Sequence, residues 1–488
     1  MSSFQPEPDA DDLLDDATWR DLLLPRYVDT LAPETSLFGR QVLERDLRGG
    51  LDDAAVASRR TRVQALLDDP AQLDALERKL ACLREADVDV TALLFEDTQP
   101  PRPAWVGRLW LLPLLLVASI AAALLVSPWG WVGVGVAMYF LVMVHMRYQD
   151  RIVLWARSLR ALQMLLRACS LLDGSGLALA AAFTGRRARA GRLSRSLERA
   201  LPGVPGASGA REYADWFAAA DVRHYYRSLD LVFGARDFLG ECYRLCAELE
   251  ADVTLARHLR ERPTWCWATR TGARTLAIDG GVHPLLDEAR GLSVTLDGKG
   301  AFLSGQNGVG KSTFLRMLGL NLAVARAFGF CYAQSASLPA LPVVASMQNE
   351  DSLLGGQSLY IAELGRARAL LARARGERPV VCLVDEIFRG TNHEESVSAA
   401  TAVIDALARH ALVVVSSHNL VLGSLLAEAL APWRIVRHGD GLQLEPGVLG
   451  RTNGVALLAE HGFDEGVQRR AEQVAAWLAQ TRLSGSPS

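Results

Sequence analysis

The segment GQNGVGKST, from Gly305 to Thr313, has the residue types and the spacing of a loop that binds the phosphates of a nucleotide. Three glycines give its backbone the freedom for a tight turn, so that successive amide hydrogens point at the phosphates: Gly305, Gly308 and Gly310. In such a loop Lys311 would neutralise the β- and γ-phosphates, and the hydroxyl of Ser312 would bind Mg²⁺. The segment therefore predicts a site for a nucleoside triphosphate.

The sequence on either side of this loop predicts the elements that must hold it. Residues 300–305 (GAFLSG) are an apolar run typical of a buried strand, and residues 314–328 have the apolar periodicity of a helix. A helix that begins at the loop adds the positive end of its dipole to the phosphate site. Lysine is also scarce, since the chain has only Lys79 and Lys299 besides Lys311. A lysine at this position is therefore poorly explained as general surface composition.

A second group of reactive side chains follows another apolar run, PVVCLVDE at residues 379–386. Such a run predicts a buried parallel strand that delivers Asp385 and Glu386 to the carboxyl edge of an α/β sheet, where ligands bind. Asp385 is predicted to hold Mg²⁺, and Glu386 to accept a proton from the attacking water. The run ALVVVSSH, at residues 411–418, predicts a further strand that brings His418 to the γ-phosphate.

These residues resemble the ATPase domain of the MutS family of DNA mismatch-repair proteins. DEIFRGT, at residues 385–391, is similar to the family's DEIGRGT segment. Four further segments resemble family motifs in the same order: GGVHPLL (280–286), GGQSLYIAEL (355–364), VVSSHNL (414–420) and GRTNGVALLAEHGFDEGVQRRAEQV (450–474). Two pairs of residues depart from the family pattern: Gly308 and Val309 replace Met and Gly, and Leu359 and Tyr360 replace Thr and Phe.

The resemblance implies an α/β P-loop NTPase head of the ABC/MutS type that binds and hydrolyses ATP with Mg²⁺. It also implies a homodimer with composite sites, in which Ser358 of each subunit reaches the nucleotide of the other. The nucleotide-binding residues that it implies are Gly305, Asn307, Gly308, Gly310, Lys311, Ser312, Thr313 and, across the dimer, Ser358. Glu386 and His418 would be the catalytic residues, and Ser312 and Asp385 would hold the metal ion.

The resemblance extends more weakly into the N-terminal part of the chain. Residues 30–70 are similar to the start of the MutS core domain, and residues 158–262, helical in pattern, would supply the second half of that core and its lever. No segment resembles the family's mismatch-reading, connector or clamp domains. DNA is an expected partner through the resemblance, but mismatch recognition in the family's usual form is not expected.

Two apolar segments of near-equal length occupy the position in the sequence at which MutS proteins have their clamp domain. Residues 109–144 contain no charged side chain and divide at Ser127 and Pro128. The two segments, at about residues 109–126 and 129–146, each provide roughly 27 Å of helix, which is enough to cross a bilayer. Residues 109–146 are thus predicted to contact lipid. A hairpin buried in a soluble core is the alternative, although soluble helices of that length usually carry a polar stripe.

Arginines on both sides of the apolar pair predict its orientation. Arg102 and Arg108 precede it, and Arg147 and Arg151 follow it. Because basic residues are enriched on the cytoplasmic side, both chain termini and the ATPase are predicted to lie in the cytoplasm at the inner (cytoplasmic) membrane.

The predicted domain order is a flexible acidic leader (1–25), the first half of a helical core (26–100), a transmembrane hairpin (105–147), the second half of the core with its lever (150–270), the ATPase domain (276–475) and a flexible tail (476–488). The fold class is thus an α/β P-loop NTPase joined to an all-α core and lever domain that the two-helix hairpin interrupts. A net charge of −3 gives no global attraction to DNA, and seven scattered cysteines favour reduced thiols in a cytosolic setting.

Two functional interpretations stay open. The motif order favours a membrane-anchored MutS-like ATPase that acts in DNA binding, repair or recombination. The arginines between Arg186 and Arg199 could then track phosphates of DNA or of anionic lipids. The alternative is an ABC-class membrane ATPase, mechanochemical or associated with transport, without a DNA role, because LLGGQS at residues 353–358 resembles the LSGGQ signature of ABC transporters. The spacing disfavours it, since in transporters the signature lies close before the acidic strand, and two spans cannot form a transport pathway alone.

Overall fold

The computed structural model describes residues 13–96, 101–198, 216–217, 219–286, 289–347, 359–438, 441–450 and 453–484. The chain divides into two units. The sheet unit contains Met1–Leu31, Glu44–Thr61 and Leu259–Ser488, and the helical unit contains Ala32–Leu43 and Arg62–His258.

Helices occur throughout the described chain, whereas strands begin only after residue 265. The α-helices of the described residues are α1 (Asp16–Asp21), α2 (Leu24–Leu31), α3 (Leu37–Gly49), α4 (Asp53–Asp68), α5 (Pro70–Leu80), α6 (Thr91–Phe95), α7 (Leu111–Leu125), α8 (Gly130–Leu172), α9 (Arg187–Glu198), α10 (Ala220–Gly234), α11 (Arg236–Glu261), α12 (Lys311–Phe328), α13 (Leu359–Ala374), α14 (His393–Ala408), α15 (Val421–Leu425), α16 (Leu457–Glu460) and α17 (Glu465–Ser484). The strands are β1 (Cys266–Trp267), β2 (Thr269–Thr271), β3 (Thr275–Gly281), β4 (Leu292–Asp297), β5 (Gly300–Gly305), β6 (Phe330–Cys331), β7 (Ser335–Pro339), β8 (Val343–Ser346), β9 (Val381–Asp385), β10 (Leu412–Ser416), β11 (Leu430–His438) and β12 (Gly441–Pro446).

The main sheet of the sheet unit has six strands in the order β12-β11-β5-β10-β9-β8. All neighbouring pairs are parallel except β11 and β12, which pair antiparallel at one edge. Every residue of β5, β9 and β10 is buried, as expected for central parallel strands with near-continuous apolar sequences. The three strands predicted from the sequence are therefore confirmed, and they lie side by side. A second sheet has the order β2-β7-β3-β4, and β1 pairs with β6.

Residues near the N-terminus cover the free edge of this main sheet. The hydroxyl of Thr18 in α1 accepts the backbone N–H of Ala345 in β8 at 2.9 Å, and the carboxylate of Asp21 accepts that of Met347 at 2.8 Å. An exposed edge strand offers unpaired amides, and these two side chains satisfy them. The predicted flexible leader, residues 1–25, is therefore wrong for residues 15–21, because Asp15 caps α1 through the N–H of Thr18 and Asp21 binds the backbone of Met347.

The predicted domain boundary at residue 26 also requires correction. Residues Glu44–Thr61 belong to the sheet unit, apart from the helical core in which the sequence placed them. Arg326 of α12 donates to the carbonyl of Gly49 at 2.6 Å, and Arg59 forms a buried ion pair with Asp46 at 2.5 Å. Arg326 and Gly49 are 277 residues apart in the chain, so local periodicity could not reveal this contact.

A buried carboxylate organises the helical unit. Glu250 of α11 accepts hydrogen bonds from the backbone N–H of Ser36 at 2.9 Å, the N–H of Gly39 at 3.2 Å and the hydroxyl of Ser36. The first backbone N–H groups of a helix have no acceptor within the helix, and at the start of α3 the carboxylate of Glu250 is that acceptor. The sulfur atoms of Cys169 in α8 and Cys242 in α11 are 3.4 Å apart.

The apolar hairpin consists of α7 and the first part of α8, which continues without a break to Leu172. Two helices of the described chain, Ala104–Leu125 and Gly130–Leu172, are long and apolar enough to cross a membrane by length and composition. Only 11% of the most apolar window of each is buried within the chain. A Cβ on Gly133 would lie 2.5 Å from the Ser119 hydroxyl, so a small residue here lets the helices approach closely.

The C-terminal helix is longer than the sequence suggested. The flexible tail was predicted from residue 476, but α17 extends to Ser484. Exposed apolar side chains lie along it, including Val467, Val474 and Trp477. The predicted start of the tail is therefore wrong by about two helical turns.

Candidate functional site

The phosphate loop connects β5 to α12 in the predicted manner. Gly308 and Gly310 both have positive φ angles, of 74° and 103°, which only glycine adopts without strain. Gly310 is the residue before α12, so the turn delivers the first amides of that helix to the loop. Ser312 and Thr313 occupy the first turn of α12. This geometry is a ready-made anion site at a helix N-terminus.

Lys311 is folded back into the loop that precedes it. Its side chain is 6% exposed, and Nζ donates to the carbonyls of Gly305 and Gln306 at 3.2 Å each. Burial lowers the pKa of Lys311, and the negative charge of Asp385 opposes that shift. Lys311 is thus a partly desolvated ammonium near a carboxylate, placed where phosphate oxygens could replace its carbonyl partners.

Asp385 and Glu386 lie at the carboxyl end of β9, as predicted, but in different environments. Asp385 is 5% exposed and accepts a hydrogen bond from the hydroxyl of Ser416 on the neighbouring strand β10. Glu386 has left the strand: its φ of 51° is unusual for a residue with a side chain, and its N–H donates to the carbonyl of Ser416 at 3.0 Å. Because of this left-handed turn, the two carboxylates have different partners: Asp385 contacts Ser416, whereas Glu386 contacts His418 and Arg389.

His418 joins the lysine to the second carboxylate. Its Nδ1 lies 3.4 Å from Nζ of Lys311, and its Nε2 contacts Oε1 of Glu386. Because an ammonium can only donate, Nδ1 must accept, so the hydrogen is on Nε2 and points to Glu386. Burial and then the charge of Lys311 lower the pKa of His418, although Asp385 opposes this. The ring is therefore held neutral in one tautomer.

The loop after Glu386 is fixed by residues of α13. Glu363 accepts the backbone N–H groups of Arg389 at 3.1 Å and Gly390 at 3.2 Å. Phe388, with a positive φ of 59°, is fully buried and packs edge-on against Tyr360. Through these contacts the helix sets the backbone that carries Arg389, whose Nε lies 2.5 Å from Oε2 of Glu386.

Asn307 has a partner from the distant C-terminal segment. Its backbone N–H donates to the side-chain oxygen of Asn453 at 2.8 Å. Asn453 lies in GRTNG, at the start of the segment 450–474 that resembles the closing MutS motif. That motif is the sequence feature from which Asn453 could have been found. Four residues of the site do not stand out in the sequence: Glu363, Arg389, Ser416 and Asn453. Ser358, predicted to act across a dimer, lies outside the described residues.

A cavity of about 410 Å³ lies beside the phosphate loop. Its walls include Thr313, His283, Leu286, Arg437 and Leu442. Burial, followed by the charges of Arg316 and Arg26, lowers the pKa of His283 to about 4. Its Nδ1 accepts the N–H of Leu285 at 3.3 Å. The cavity therefore combines a neutral ring and apolar walls with a basic side chain, within the size range of ligand pockets.

The residues present fit a magnesium–nucleotide complex. Within the described parts of the chain, no cluster of three or more His, Cys, Asp or Glu side chains is arranged as a metal site. Mg²⁺ bound together with a nucleotide needs few protein ligands, because phosphate oxygens and waters complete its shell. The hydroxyl of Ser312 and the buried carboxylate of Asp385 are oxygen ligands of the required kind.

This combination of sheet order, loop and acidic pair matches a known domain. A family model described as MutS domain V matches residues 301–437. Over 260 residues, half of this chain, the sequence is 32% identical to the DNA mismatch repair protein MutS of Thermus thermophilus. Over 257 residues it is 30% identical to that of Granulibacter bethesdensis. The chain is thus similar to proteins of the MutS family over about half of its length.

The match to MutS proteins is partial in both directions. The aligned region spans 31% of the Thermus thermophilus protein and 27% of the Granulibacter bethesdensis protein. The part that corresponds includes domain V, the ATPase domain, and the mixed main sheet is consistent with the P-loop NTPase fold that this domain has. The resemblance to MutS inferred from the sequence motifs is therefore confirmed.

Proposed function

We propose that this MutS-family protein is a membrane-anchored ATPase that works as a homodimer. One observation supports ATP hydrolysis above all others: Lys311, His418 and Glu386 form a continuous chain of polar contacts beside a glycine loop at a helix N-terminus. A phosphate-binding cation and a base candidate are thereby linked through one neutral imidazole. Such an arrangement is suited to phosphoryl transfer to water.

Each residue has a distinct role in the proposed reaction. The amides of the loop and the ammonium of Lys311 bind the triphosphate, and Ser312 and Asp385 hold Mg²⁺, which supplies charge neutralisation when bound. Glu386 orients a water molecule and takes its proton, while His418 positions Glu386 and contacts the terminal phosphate. Thr313 and Asn307 complete the phosphate site. The 410 Å³ cavity next to Thr313 takes the nucleoside.

Dimerisation is supported by the C-terminal segment. An apolar surface depression is lined there by Val455, Val467 and Val474, and Trp477 is 62% exposed on the same helix. Apolar side chains exposed over two turns of a helix are typical of an interaction surface. In the proposed dimer, Ser358 of each subunit completes the nucleotide site of the other.

Membrane anchoring is supported by the exposed apolar surface of α7 and α8. Leu124, Leu125 and Val126 are 71%, 84% and 83% exposed, and further along α8 Met146 is 70% exposed. No other part of the described chain covers this apolar surface. Its exposure to water is unfavourable, whereas its contact with the hydrocarbon of a bilayer is not. We place the hairpin in the cytoplasmic membrane, with both termini and the sheet unit in the cytoplasm.

A role in DNA repair or recombination is proposed because the relatives are DNA mismatch repair proteins. The arginine cluster provides limited further support. Arg186 pairs with Glu241, and the guanidinium of Arg189 lies 4.4 Å from the centre of the Phe238 ring, so these two are used within the helical unit. Arg187, Arg192 and Arg195 are exposed and offer charges to phosphates, while Arg199 lies outside the described residues.

The test uses the full chain in detergent. Lys311→Ala is expected to weaken ATP binding at least about tenfold, because a charge-assisted contact to phosphate is lost. Lys299→Ala is the matched control, since Lys299 is exposed and outside the site. Equal binding by both variants would overturn the assignment of the site. ATPase rates with duplex, mismatched and branched DNA at two salt concentrations then separate the DNA role from a membrane role without DNA.

A further inference from the structure

A cavity of about 910 Å³ lies in the helical unit, where the apolar part of α8 ends. It is separate from the nucleotide site, because its walls come from residues 101–105, α8 and α10. Two arginines, Arg147 and Arg151, and several aromatic side chains line it, and no acidic side chain is among its lining residues. A cavity with this lining has the electrostatic character of an anion site.

Among the described residues, Arg147 and Arg151 differ from neighbouring arginines in having no carboxylate partner. Arg102 pairs with Asp230 at 3.1 Å, and Arg157 pairs with Asp87 at 2.7 Å. In the described part of the chain, neither Arg147 nor Arg151 lies within ion-pair distance of an acid. They are four residues apart on α8 and so lie on the same face, about 6 Å apart along the axis. Two guanidinium groups at this spacing can contact one phosphate group together.

Aromatic rings form the wall next to these cations. The rings of Trp105 and Tyr148 pack edge-on at 5.7 Å, and those of Trp155 and Tyr225 at 5.8 Å. The hydroxyl groups of Tyr148 and Tyr226 share a hydrogen bond of 3.0 Å, and Nε1 of Trp155 donates to Ser228 at 2.7 Å. Tyr148 and Tyr226 are buried and form the floor of the cavity, and the guanidinium of Arg151 lies 5.7 Å from the centre of the Tyr148 ring. The Trp105 side chain is 40% exposed and Trp155 is half-buried, so these two indole rings offer surface to an apolar or amphipathic ligand.

The position of the cavity along α8 favours a lipid over a soluble ligand. Arg147 directly follows the exposed Met146, at the end of the apolar stretch, and Arg151 is one turn further on. Beyond them the exposed side chains of Val153 and Leu154 continue the apolar surface, and Leu154 lines the cavity. Cations beside tryptophan and tyrosine at the end of a span are located where lipid headgroups lie.

We infer that this cavity is a binding site for one anionic phospholipid, with the phosphate held by Arg147 and Arg151 and the glycerol region packed against Trp105 and Trp155. The inference rests on the proposed membrane anchoring, but it is more specific, because it assigns one headgroup to one site. It also differs from the general attraction of basic flanks to an acidic membrane surface, which needs no cavity.

The experiment measures lipid retention by native mass spectrometry of the full chain in detergent. The probes are phosphatidylglycerol, phosphatidylcholine and inorganic phosphate. Wild type is expected to retain one phosphatidylglycerol per chain, at least about tenfold more tightly than phosphatidylcholine. Arg147→Gln combined with Arg151→Gln should remove this preference, and the Lys substitutions at both positions should keep most of it. Arg108→Gln is the matched control, since Arg108 flanks the same hairpin without lining the cavity.

The outcomes separate this inference from the proposed function. Unchanged preference in the double Gln variant, or equal loss in Arg108→Gln, would show that the cavity does not select the headgroup. Full competition by inorganic phosphate would mean that the ligand is a soluble phosphate and would overturn the lipid assignment. Extraction of the protein from cell membranes by alkaline carbonate would contradict membrane anchoring itself. If the double variant fails to fold, the single variant Arg151→Gln is used instead: loss of most of the preference supports the site, and unchanged preference contradicts it.

Discussion

The imidazole of His418 donates its Nε2 hydrogen to the carboxylate of Glu386, the residue proposed to activate water. The other ring nitrogen faces the ammonium of Lys311 at 3.4 Å. The phosphate-binding residue and the base are therefore connected through a ring that must stay neutral, since a protonated Nδ1 would point its hydrogen at a cation. This requirement makes the site sensitive to acid.

The pH dependence of the ATPase rate is expected to report the protonation of His418. The pKa of His418 in the folded protein lies below its ordinary value, mainly because of burial. The ATPase rate should therefore stay constant as the pH falls to about 6.5 and decrease at lower pH. Stability changes in the same direction, because below about pH 6.5 the unfolded chain takes up a proton that the folded site resists. His418→Gln, which cannot titrate, should lack this acidic decline. The same decline in both proteins would show that another group titrates.

Glu386→Gln is expected to separate nucleotide binding from turnover. The amide keeps the size of the side chain and an oxygen that can accept from His418, but it cannot take a proton from water. Binding of ATP should persist, whereas the steady-state rate should fall by about 10²-fold or more. Glu394→Gln, an exposed acid in the first turn of α14, is the control and should behave as wild type. Equal hydrolysis by wild type and Glu386→Gln would remove the proposed base.

Gly390 is predicted to tolerate no side chain. A Cβ there would lie 2.6 Å from the backbone nitrogen of Tyr360, which cannot move without shifting the start of α13. Gly390→Ala should therefore displace the loop that carries Glu386 and Arg389 and lower the ATPase rate more than it lowers the melting temperature.

The matched control for this variant is Gly365→Ala in the same helix. A Cβ on Gly365 would meet nothing within 4 Å, and alanine is favoured over glycine inside a helix by about 0.5–1 kcal/mol. This variant should be as active as wild type and slightly more stable. An active Gly390→Ala protein, or a similar loss in Gly365→Ala, would contradict the proposed role of the close approach.

The sequence predicted the centre of the sheet unit well because the relevant signals are local. The strands β5, β9 and β10 are buried on both faces, so their apolar runs are nearly continuous, and the catalytic candidates follow directly at the strand ends. The glycines of the phosphate loop were recognisable for the same reason, since spacing within nine residues defines the turn.

The errors occurred where a partner is distant in the chain. Thr18 binds the backbone of Ala345, which lies 327 residues away, and Asn453 binds Asn307 across 146 residues. Neither contact follows from composition, which therefore predicts a flexible leader where the structure has the acidic helix α1. Glu363 and Ser416 were missed because their functions depend on which strands and helices become neighbours. A single sequence contains little information on that choice.

Glu250 is expected to be a main determinant of the stability of the helical unit. Three donors converge on its carboxylate, two from Ser36 and one from Gly39. Glutamine offers only one oxygen, so Glu250→Gln leaves at least one buried donor without an acceptor, at a cost of about 1–3 kcal/mol. This corresponds to roughly 2–4 °C in melting temperature for each kcal/mol in a unit of this size. Glu248→Gln, two residues earlier on the same helix, is the control.

The effect of Glu250→Gln should also depend on pH. Burial raises the pKa of Glu250 despite its hydrogen bonds, so the folded state holds a proton more tightly than the unfolded chain. The folded wild type is then favoured at acidic pH, and that stabilisation is lost as pH rises from the unfolded value of about 4.5 through the raised folded value. The difference in melting temperature between wild type and Glu250→Gln should accordingly be larger at pH 5 than at pH 8. A difference that is larger at pH 8 would mean that the hydrogen bonds to the ionised carboxylate outweigh the cost of its burial.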